Sequence, residues 1–148
     1  AAGAWLWGGK TDDIYQTLQF GIRSEHEEAR DSQMAAFGRD GLLKPEEVQI
    51  LTDFVMGMHE GKGHSAAGEG LFQEHCASCH GKKGEGGKDF GAPALNDAIW
   101  LYGSDRDTIY DVIYNGRMGV MPYWQGKLSD STIRQLTVYV HQLGGGEQ

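Results

Sequence analysis

The stretch Cys76-Ala77-Ser78-Cys79-His80 has the spacing C-x-x-C-H, which is the attachment signature of c-type haem. Two thiols one helical turn apart can add to the two vinyl groups on one edge of a porphyrin. The histidine that follows the second cysteine is then carried beneath the iron, where it serves as the proximal ligand. The motif therefore predicts one covalent haem c, with Cys76 and Cys79 as attachment residues and His80 as an iron ligand.

Two other chemistries use closely spaced cysteines, and the surrounding sequence argues against both. A thioredoxin-like redox pair follows a strand and precedes a helix, whereas here a helical pattern comes before the motif and a glycine-rich loop follows it. A zinc site needs further cysteine or histidine ligands at short spacing, and the chain has only 2 cysteines. Covalent haem attachment is the interpretation that this region favours.

The composition limits the class of protein. The 148 residues carry a net charge of −8 at pH 7, which argues against a nucleic-acid partner. Hydrophobic residues make up 39% and charged residues 23%, which is enough for a modest core. No apolar run is long enough to cross a membrane, and the first residues lack the pattern of a signal peptide. We therefore expect neither a membrane span nor a signal peptide within these residues.

Two parts of the chain repeat each other. Residues 5–21 match residues 100–116, because each copy has Trp-Leu-aromatic-Gly followed by an Ile-Tyr pair and a glycine. A methionine comes next in each copy, Met34 in the first and Met121 in the second, and each copy ends in an amphipathic segment. The second copy alone is preceded by the cysteine motif.

The repeat predicts two modules with a linker between them. Residues 60–69 are polar and rich in glycine, which is typical of a linker. Residues 1–60 are expected to form the rear part of a truncated module that lacks a haem-attachment motif. Residues 61–148 are expected to form a whole module with one covalent haem.

Helical patterns dominate the chain and no segment predicts a sheet, so the expected fold class is all-α. Apolar residues recur at helical spacing, polar caps precede the segments and glycines follow them. The predicted helices cover residues 67–79, a segment that opens after Ser104 and ends near Gly116, a segment from Ser129 or Asp130 to Gly144, and one from Pro45 to Gly61.

The distal side of the haem needs a second ligand. Met121 is directly followed by Pro122 in a glycine-flanked loop, which the proline would stiffen. Met118 is a competing candidate, and methionine is also a common core residue. We predict that Met121 ligates the iron. Ligation by histidine and methionine raises the reduction potential and leaves no open coordination position, which suits electron transfer.

Residues 61–148 resemble a class I cytochrome c module, an all-α fold in which the first and last helices cross. In that family a glycine and an aromatic residue before the cysteine motif form the crossing. The resemblance implies that Gly68 and Phe72 take these places here, with Leu136 and Tyr139 as their partners on the last helix.

The resemblance implies one further contact, and the aromatic residues themselves offer a second. The proline that follows the motif, Pro93, would accept a hydrogen bond from the proximal histidine through its carbonyl. Trp100, Tyr102 and Trp124 are aromatic residues that usually belong to a core, but one of them could wall the haem or contact a propionate, and Trp100 is the candidate that we name.

More narrowly, residues 91–97, 100–103, 119–122 and 136–141 resemble the second haem module of subunit III of cbb3-type cytochrome c oxidases. Residues 5–58 resemble the rear part of the first module of that subunit, in which Met34 matches the distal ligand. The family has a C-x-x-C-H motif in each module, and this chain contains one.

The resemblance implies a bacterial subunit on the periplasmic side of the inner membrane, held there by an anchor absent from this chain. It would relay electrons from a cytochrome c or the bc1 complex to the oxidase core subunits and would catalyse no reaction on its own. Two alternatives remain open at this point. One is the cytochrome subunit of another periplasmic dehydrogenase, and the other is a haem sensor or peroxidase with a labile methionine ligand.

Overall fold

A computed structural model describes residues 4–62 and 64–148 of the protein. In these residues the regular structure is helical, with isolated β-bridges and no strand, so the all-α prediction is confirmed. No helix within the described part of the chain is both long enough and apolar enough to cross a membrane. The helices are α1 (Thr11–Phe20), α2 (Pro45–Glu60), α3 (Ala66–His75), α4 (Ala77–His80), α5 (Arg106–Asn115) and α6 (Asp130–Leu143).

The helices group into two compact units. The first, here called the motif unit, consists of Gln33–Gly87 and Ala92–Met118 and contains α2, α3, α4 and α5. The second, called the terminal unit, consists of the described residues up to Ser32 with Lys88–Gly91 and Gly119–Gln148, and contains α1 and α6. Each unit therefore combines segments from both sequence repeats. The division into modules at residue 60 stays a prediction from the sequence, and it is a different division of the chain.

The core of the motif unit lies where α2 packs against α3 and α5. The side chains of Val48, Leu51 and Phe72 are completely buried there. Because apolar residues recur along one face of α2, that helix can contact both neighbours at once. The whole cluster consists of Leu43, Val48, Leu51, Phe54, Val55, Phe72, Ile109 and Ile113.

Helix α2 has the boundaries that its sequence predicts. Pro45 occupies the first turn, where the missing N–H costs nothing, and the Glu47 carboxylate accepts a hydrogen bond of 2.8 Å from the Lys44 backbone N–H. The helix ends at Gly61, whose φ of 66° is a left-handed conformation that favours glycine. Both ends of the central helix are thus fixed by local chemistry.

Two other helix boundaries differ from prediction. The single helix expected over residues 67–79 is interrupted at Cys76, so that α3 and α4 are separate. Helix α5 is capped by Asp105 rather than Ser104, because the Asp105 carboxylate accepts hydrogen bonds from both the backbone N–H (3.0 Å) and the hydroxyl (2.6 Å) of Thr108. A carboxylate is a stronger hydrogen-bond acceptor than the Ser104 hydroxyl, and with Asp105 as the cap the helix begins one residue later.

Within the motif unit, α3 packs against α2. Phe72 lies 5.3 Å from Phe54 of α2, measured between ring centroids, and a Cβ on Gly68 would come within 2.8 Å of the Phe54 side chain. The expected partners Leu136 and Tyr139 lie on α6 in the terminal unit and are 36% and 59% exposed. Their pairing with Gly68 and Phe72 stays a prediction. Helix α2 precedes α3 after a short connection, and closing a short loop costs little entropy.

The terminal unit is held together by packing of α1 against α6. Its buried side chains are Ile14 on α1 with Ile133 and Thr137 on α6. At the surface the Tyr15 hydroxyl donates a hydrogen bond to the carboxylate of Asp130 at the start of α6. The two helices are thus joined by an apolar contact and a polar one.

Candidate haem-attachment site

The two cysteines of the motif are on the same helical turn. Cys76 separates α3 from α4, and its carbonyl accepts hydrogen bonds from the backbone N–H groups of Cys79 (3.2 Å) and His80 (3.0 Å). The two thiols are not bonded to each other. This turn presents two sulfur atoms and an imidazole from five consecutive residues, which is the donor set that covalent haem requires.

The electrostatics of Cys76 oppose a redox role for the pair. The side chain packs against the core of the motif unit, and burial raises the pKa of its thiol to about 12, with a further contribution from Cys79. A thiol–disulfide pair works through a thiolate, which a lowered pKa would favour. The thioredoxin-like alternative considered from the sequence is therefore disfavoured by the structure.

The imidazole of His80 is oriented by a main-chain carbonyl. Its Nδ1 lies 2.9 Å from the carbonyl oxygen of Pro93, the contact that the family resemblance implies. Because a carbonyl can only accept, Nδ1 must carry the proton and donate it. Burial lowers the pKa of His80 and outweighs the opposing effect of this hydrogen bond, so the ring is neutral. A neutral ring with a protonated Nδ1 leaves the Nε2 lone pair available for a metal.

The loop after the motif places the Pro93 carbonyl. The Gly86 backbone N–H donates to the His80 carbonyl at 2.7 Å, and Gly87 and Ala92 exchange two hydrogen bonds of 3.0 Å. Gly86 has a φ of 84° and touches the main chain around Pro93, so a Cβ there would lie 2.9 Å from the Ala92 oxygen. A glycine is needed at this position for the loop to close on His80.

Trp100 belongs to the same unit and has a partner that the sequence did not reveal. Its indole N–H lies 3.1 Å from Nδ1 of His59, and the two rings meet edge to face at 5.2 Å. His59 is half-buried against Trp100. The neighbouring side chains of Ile99, Leu101 and Tyr102 are large, apolar and exposed, which fits a surface that a flat hydrophobic group would cover.

The structure brings together five of the predicted site residues and leaves out one. Cys76, Cys79, His80, Pro93 and Trp100 all lie in the motif unit. Met121 lies in the terminal unit, where its backbone exchanges two 2.9 Å hydrogen bonds with Ile22. The competing candidate Met118 is in the motif unit but is 60% exposed.

Another residue that the sequence did not single out is Arg117. Its guanidinium lies over the ring of Tyr102 at 5.0 Å and pairs with Asp111 at 2.6 Å. The sequence shows an arginine beside a candidate methionine, but nothing in the local pattern indicates these two partners.

Comparison with known proteins identifies the family. The family described as "Cytochrome C oxidase, cbb3-type, subunit III" matches residues 64–140. The cbb3-type cytochrome c oxidase subunit FixP of Bradyrhizobium diazoefficiens is 50% identical over 147 residues, which cover 97% of this chain and 51% of the relative. Subunit CcoP of Cereibacter sphaeroides is 46% identical over 148 residues, with 97% and 51% covered.

These relatives are about twice as long as the matched region, so the chain spans about half the length of the curated proteins that it resembles. The matched family region contains the cysteine motif, the Pro93 loop and most of α6. The chain therefore belongs to the family of subunit III of cbb3-type cytochrome c oxidases.

Proposed function

We propose that this chain is a one-electron relay of a cbb3-type oxidase complex, with one haem c attached through Cys76 and Cys79. The observation that carries the proposal is the 2.9 Å hydrogen bond between His80 Nδ1 and the Pro93 carbonyl, on the same turn as two thiols. This arrangement presents a neutral, oriented imidazole beside the attachment residues. The names of the relatives, which are subunits of cbb3-type oxidases, support the same function.

The residues of the motif unit have separate tasks in this proposal. The haem, when bound, supplies an iron that alternates between its ferric and ferrous states. When the haem is bound, Cys76 and Cys79 would hold one edge of the porphyrin, His80 would ligate the iron, and Pro93 would fix the orientation and basicity of the imidazole. Trp100 and the apolar residues beside it would shield the haem from water. A methionine would serve as the second iron ligand, as electron transfer requires no open position.

The partners follow from the family. We propose that the chain receives electrons from a cytochrome c-type donor or the bc1 complex and passes them to the oxidase core subunits. We propose that this function lies on the periplasmic side of the bacterial inner membrane, a location that covalent haem attachment would support. In this scheme the oxidase core carries the oxygen chemistry, and the chain itself is not an enzyme.

Two measurements on the haem-loaded chain test the proposal. Acid–acetone extraction should leave the haem on the polypeptide, and the intact mass should show one haem per chain. The ferric form should be low-spin, with the far-red charge-transfer band of methionine-ligated iron. Release of the haem would disprove the thioether linkage, and a high-spin ferric form would favour the sensor or peroxidase alternative.

A further inference from the structure

One nitrogen of His59 faces two groups with opposite hydrogen-bonding requirements. His59 lies in the last turn of α2, and its Nδ1 is 2.8 Å from the carbonyl oxygen of Asp97 and 3.1 Å from the indole nitrogen of Trp100. The carbonyl can only accept a hydrogen bond, and the indole N–H can only donate one. A single ring nitrogen satisfies one of the two at a time, because it either carries a proton or offers a lone pair.

The site therefore has two arrangements, which differ in where the histidine proton lies. When Nδ1 is unprotonated, its lone pair accepts the hydrogen bond from the Trp100 indole. When Nδ1 carries a proton, the imidazole donates to the Asp97 carbonyl, and the indole N–H loses its acceptor. The neutral ring can adopt the first arrangement, whereas the imidazolium, which has protons on both nitrogens, can adopt only the second.

The end of α2 contacts two loops that follow the haem motif. The side chain of Met58 packs against Gly84 in the first loop, and the backbone N–H of Leu95 donates to the Gly84 carbonyl at 2.7 Å. The next residue of α2, His59, contacts the second loop, which contains Trp100. Because α2 holds both loops, a change in the hydrogen bonding of His59 acts on Trp100 from a fixed position.

The ring of Trp100 lies close to the residues of the haem motif. It is half-buried and packs against the core cluster of the motif unit, which Cys76 also contacts. The indole N–H of a buried tryptophan usually has a hydrogen-bond partner. Haem carries two anionic propionate carboxylates, and hydrogen bonds to ionised acceptors are stronger than those to neutral ones. The indole N–H, once it is released by His59, can therefore donate to a haem carboxylate.

The two segments that meet at His59 each contribute a carboxylate that has its own partner. At the end of α2, Glu60 forms an ion pair of 2.6 Å with Lys62. The hydrogen bond and the charge of Lys62 lower the pKa of Glu60, and His59 makes a smaller contribution. On the facing loop, the Asp97 carboxylate accepts a hydrogen bond of 2.9 Å from the backbone N–H of Ile99. The hydrogen bonds at Nδ1 are therefore the contacts that change when His59 gains or loses a proton.

We infer that His59 is a positioning residue whose protonation decides whether the Trp100 indole N–H is held by α2 or is available to a carboxylate of the bound haem. This inference rests on the proposed haem attachment and deepens it by naming a residue that couples a proton to electron transfer. A nearby imidazolium disfavours ferric iron, which carries the larger positive charge, and a hydrogen bond weakens the carboxylate charge that stabilises it. The reduction potential should therefore be higher when His59 is protonated.

The test measures the reduction potential of the haem-loaded 148-residue chain between about pH 5 and pH 8, the range in which histidines titrate. The resonance of the Trp100 indole N–H is followed over the same range. In His59→Asn the amide can donate to Asp97 and accept from the indole at once, because it uses separate atoms. Trp100→Phe keeps an aromatic ring but removes the donor. His64→Asn is the control for loss of a histidine, since His64 packs on Phe54 with the ring centroids 4.5 Å apart.

In the unaltered chain the potential should fall as the pH rises, and the indole resonance should shift over the same range. His59→Asn should abolish both changes, Trp100→Phe should abolish most of the change in potential, and His64→Asn should retain both. Helical circular dichroism should show that all three variants fold.

Two results would overturn the inference while the proposed function stands. One is a pH-independent potential in the unaltered haem-loaded chain. The other is full retention of the pH dependence in His59→Asn or in Trp100→Phe, and retention in Trp100→Phe would mean that His59 acts through its charge alone. A chain that carries no covalent haem would instead disprove the proposed function, and the inference with it.

Discussion

The orientation of the His80 imidazole depends on the main-chain carbonyl of Pro93, and the position of that carbonyl depends on Gly86. The Pro93 carbonyl oxygen accepts a hydrogen bond from the His80 Nδ1–H at a distance of 2.9 Å, which would make the imidazole a stronger donor to iron and would stabilise the ferric state. Gly86 allows the loop to close on the histidine because it has a φ of 84° and no side chain against Ala92. The electronic properties of the ligand are therefore set by a backbone conformation.

We predict that Gly86→Ala destabilises the protein by roughly 1–3 kcal/mol, because a Cβ there combines an unfavourable backbone conformation with a main-chain clash. The clash pushes the Pro93 segment away from His80, so the reduction potential should rise. Thermal unfolding and redox titration of the haem-loaded chain measure the two effects. Gly41→Ala is the control, since Gly41 also has a positive φ but has open space around it. An unchanged potential in Gly86→Ala would contradict this account.

The site residues that the sequence predicted are those with local or family-level signals. Cys76, Cys79 and His80 follow from five consecutive letters, and Pro93 follows from the family resemblance. The contact between His59 and Trp100 spans 41 positions in the chain, and no periodicity relates those two residues. A contact of this kind depends on how helix α2 packs, which a local pattern does not encode.

At the scale of secondary structure, the helices were largely predictable but their pairing was not. Capping residues and apolar spacing fixed α2, α5 and α6 to within a residue or two. The two rear helices, α2 and α6, follow similar loops and have similar apolar spacing, so the sequence alone allows either to pack against α5. The structure pairs α2 with α5, and this choice determines which methionine joins the motif unit.

The glycines that end α1 and α5 offer a matched pair of variants. Gly116 and Gly21 both have a φ and ψ combination that is essentially restricted to glycine, and each lies against a methionine carbonyl. We predict that each change to alanine costs roughly 1–3 kcal/mol of stability. Only Gly116→Ala should change the absorption spectrum of the bound haem, because Gly116 lies in the motif unit against the Met34 backbone, whereas Gly21 lies in the terminal unit. Thermal unfolding measures the loss of stability, and an equal spectral change in both variants would contradict this expectation.

The contact between α1 and α6 should respond to acid. The hydrogen bond from Tyr15, aided by the 2.7 Å contact with Arg134, holds the pKa of Asp130 below its usual range. A carboxyl with a lowered folded-state pKa adds stability above its unfolded-state pKa of about 3.9 and loses that contribution as the pH falls.

We therefore predict that Asp130→Asn lowers the melting temperature by a constant amount above about pH 5 and by a vanishing amount at strongly acid pH. Thermal unfolding followed by circular dichroism between acid and neutral pH measures this difference. Asp31→Asn, which removes an exposed loop carboxyl, is the control for the change in net charge. A difference that grows towards acid pH would contradict the assignment.

At the scale of the whole molecule, the compact units and the sequence repeats divide the chain differently. The repeat suggests that residues 61–148 fold as one module, whereas the core of the motif unit requires α2 from residues 45–60. Removing α2 would expose Phe72, Ile109 and Ile113, which are buried against it. Burial of each such side chain is worth roughly 1.5–3 kcal/mol. The sequence repeats therefore predict that residues 61–148 are stable alone, whereas the compact units predict that they are not.

We predict that a fragment of residues 33–118 folds cooperatively and carries covalent haem, because it contains the cysteine motif, the Pro93 loop and the complete core. A fragment of residues 61–148 should bind haem poorly and expose apolar surface, since it lacks α2. Circular dichroism, urea unfolding and haem content of the two purified fragments decide the question. Cooperative folding of residues 61–148 alone would support the sequence modules instead.

The packing of α2 from the first repeat against α5 from the second has a consequence for the order of the helices in the motif unit. In that unit the last helix of the module, α2, comes first, and the helix that carries the haem motif follows it after a short connection. This is the order of a circular permutant, in which the usual ends are joined and new ends open at a loop. The segment from Gln33 to Met118 is therefore the part of the chain to use when the motif unit is fused to another protein. Cutting the chain at residue 60 would separate α2 from α3, the two helices that the short connection joins.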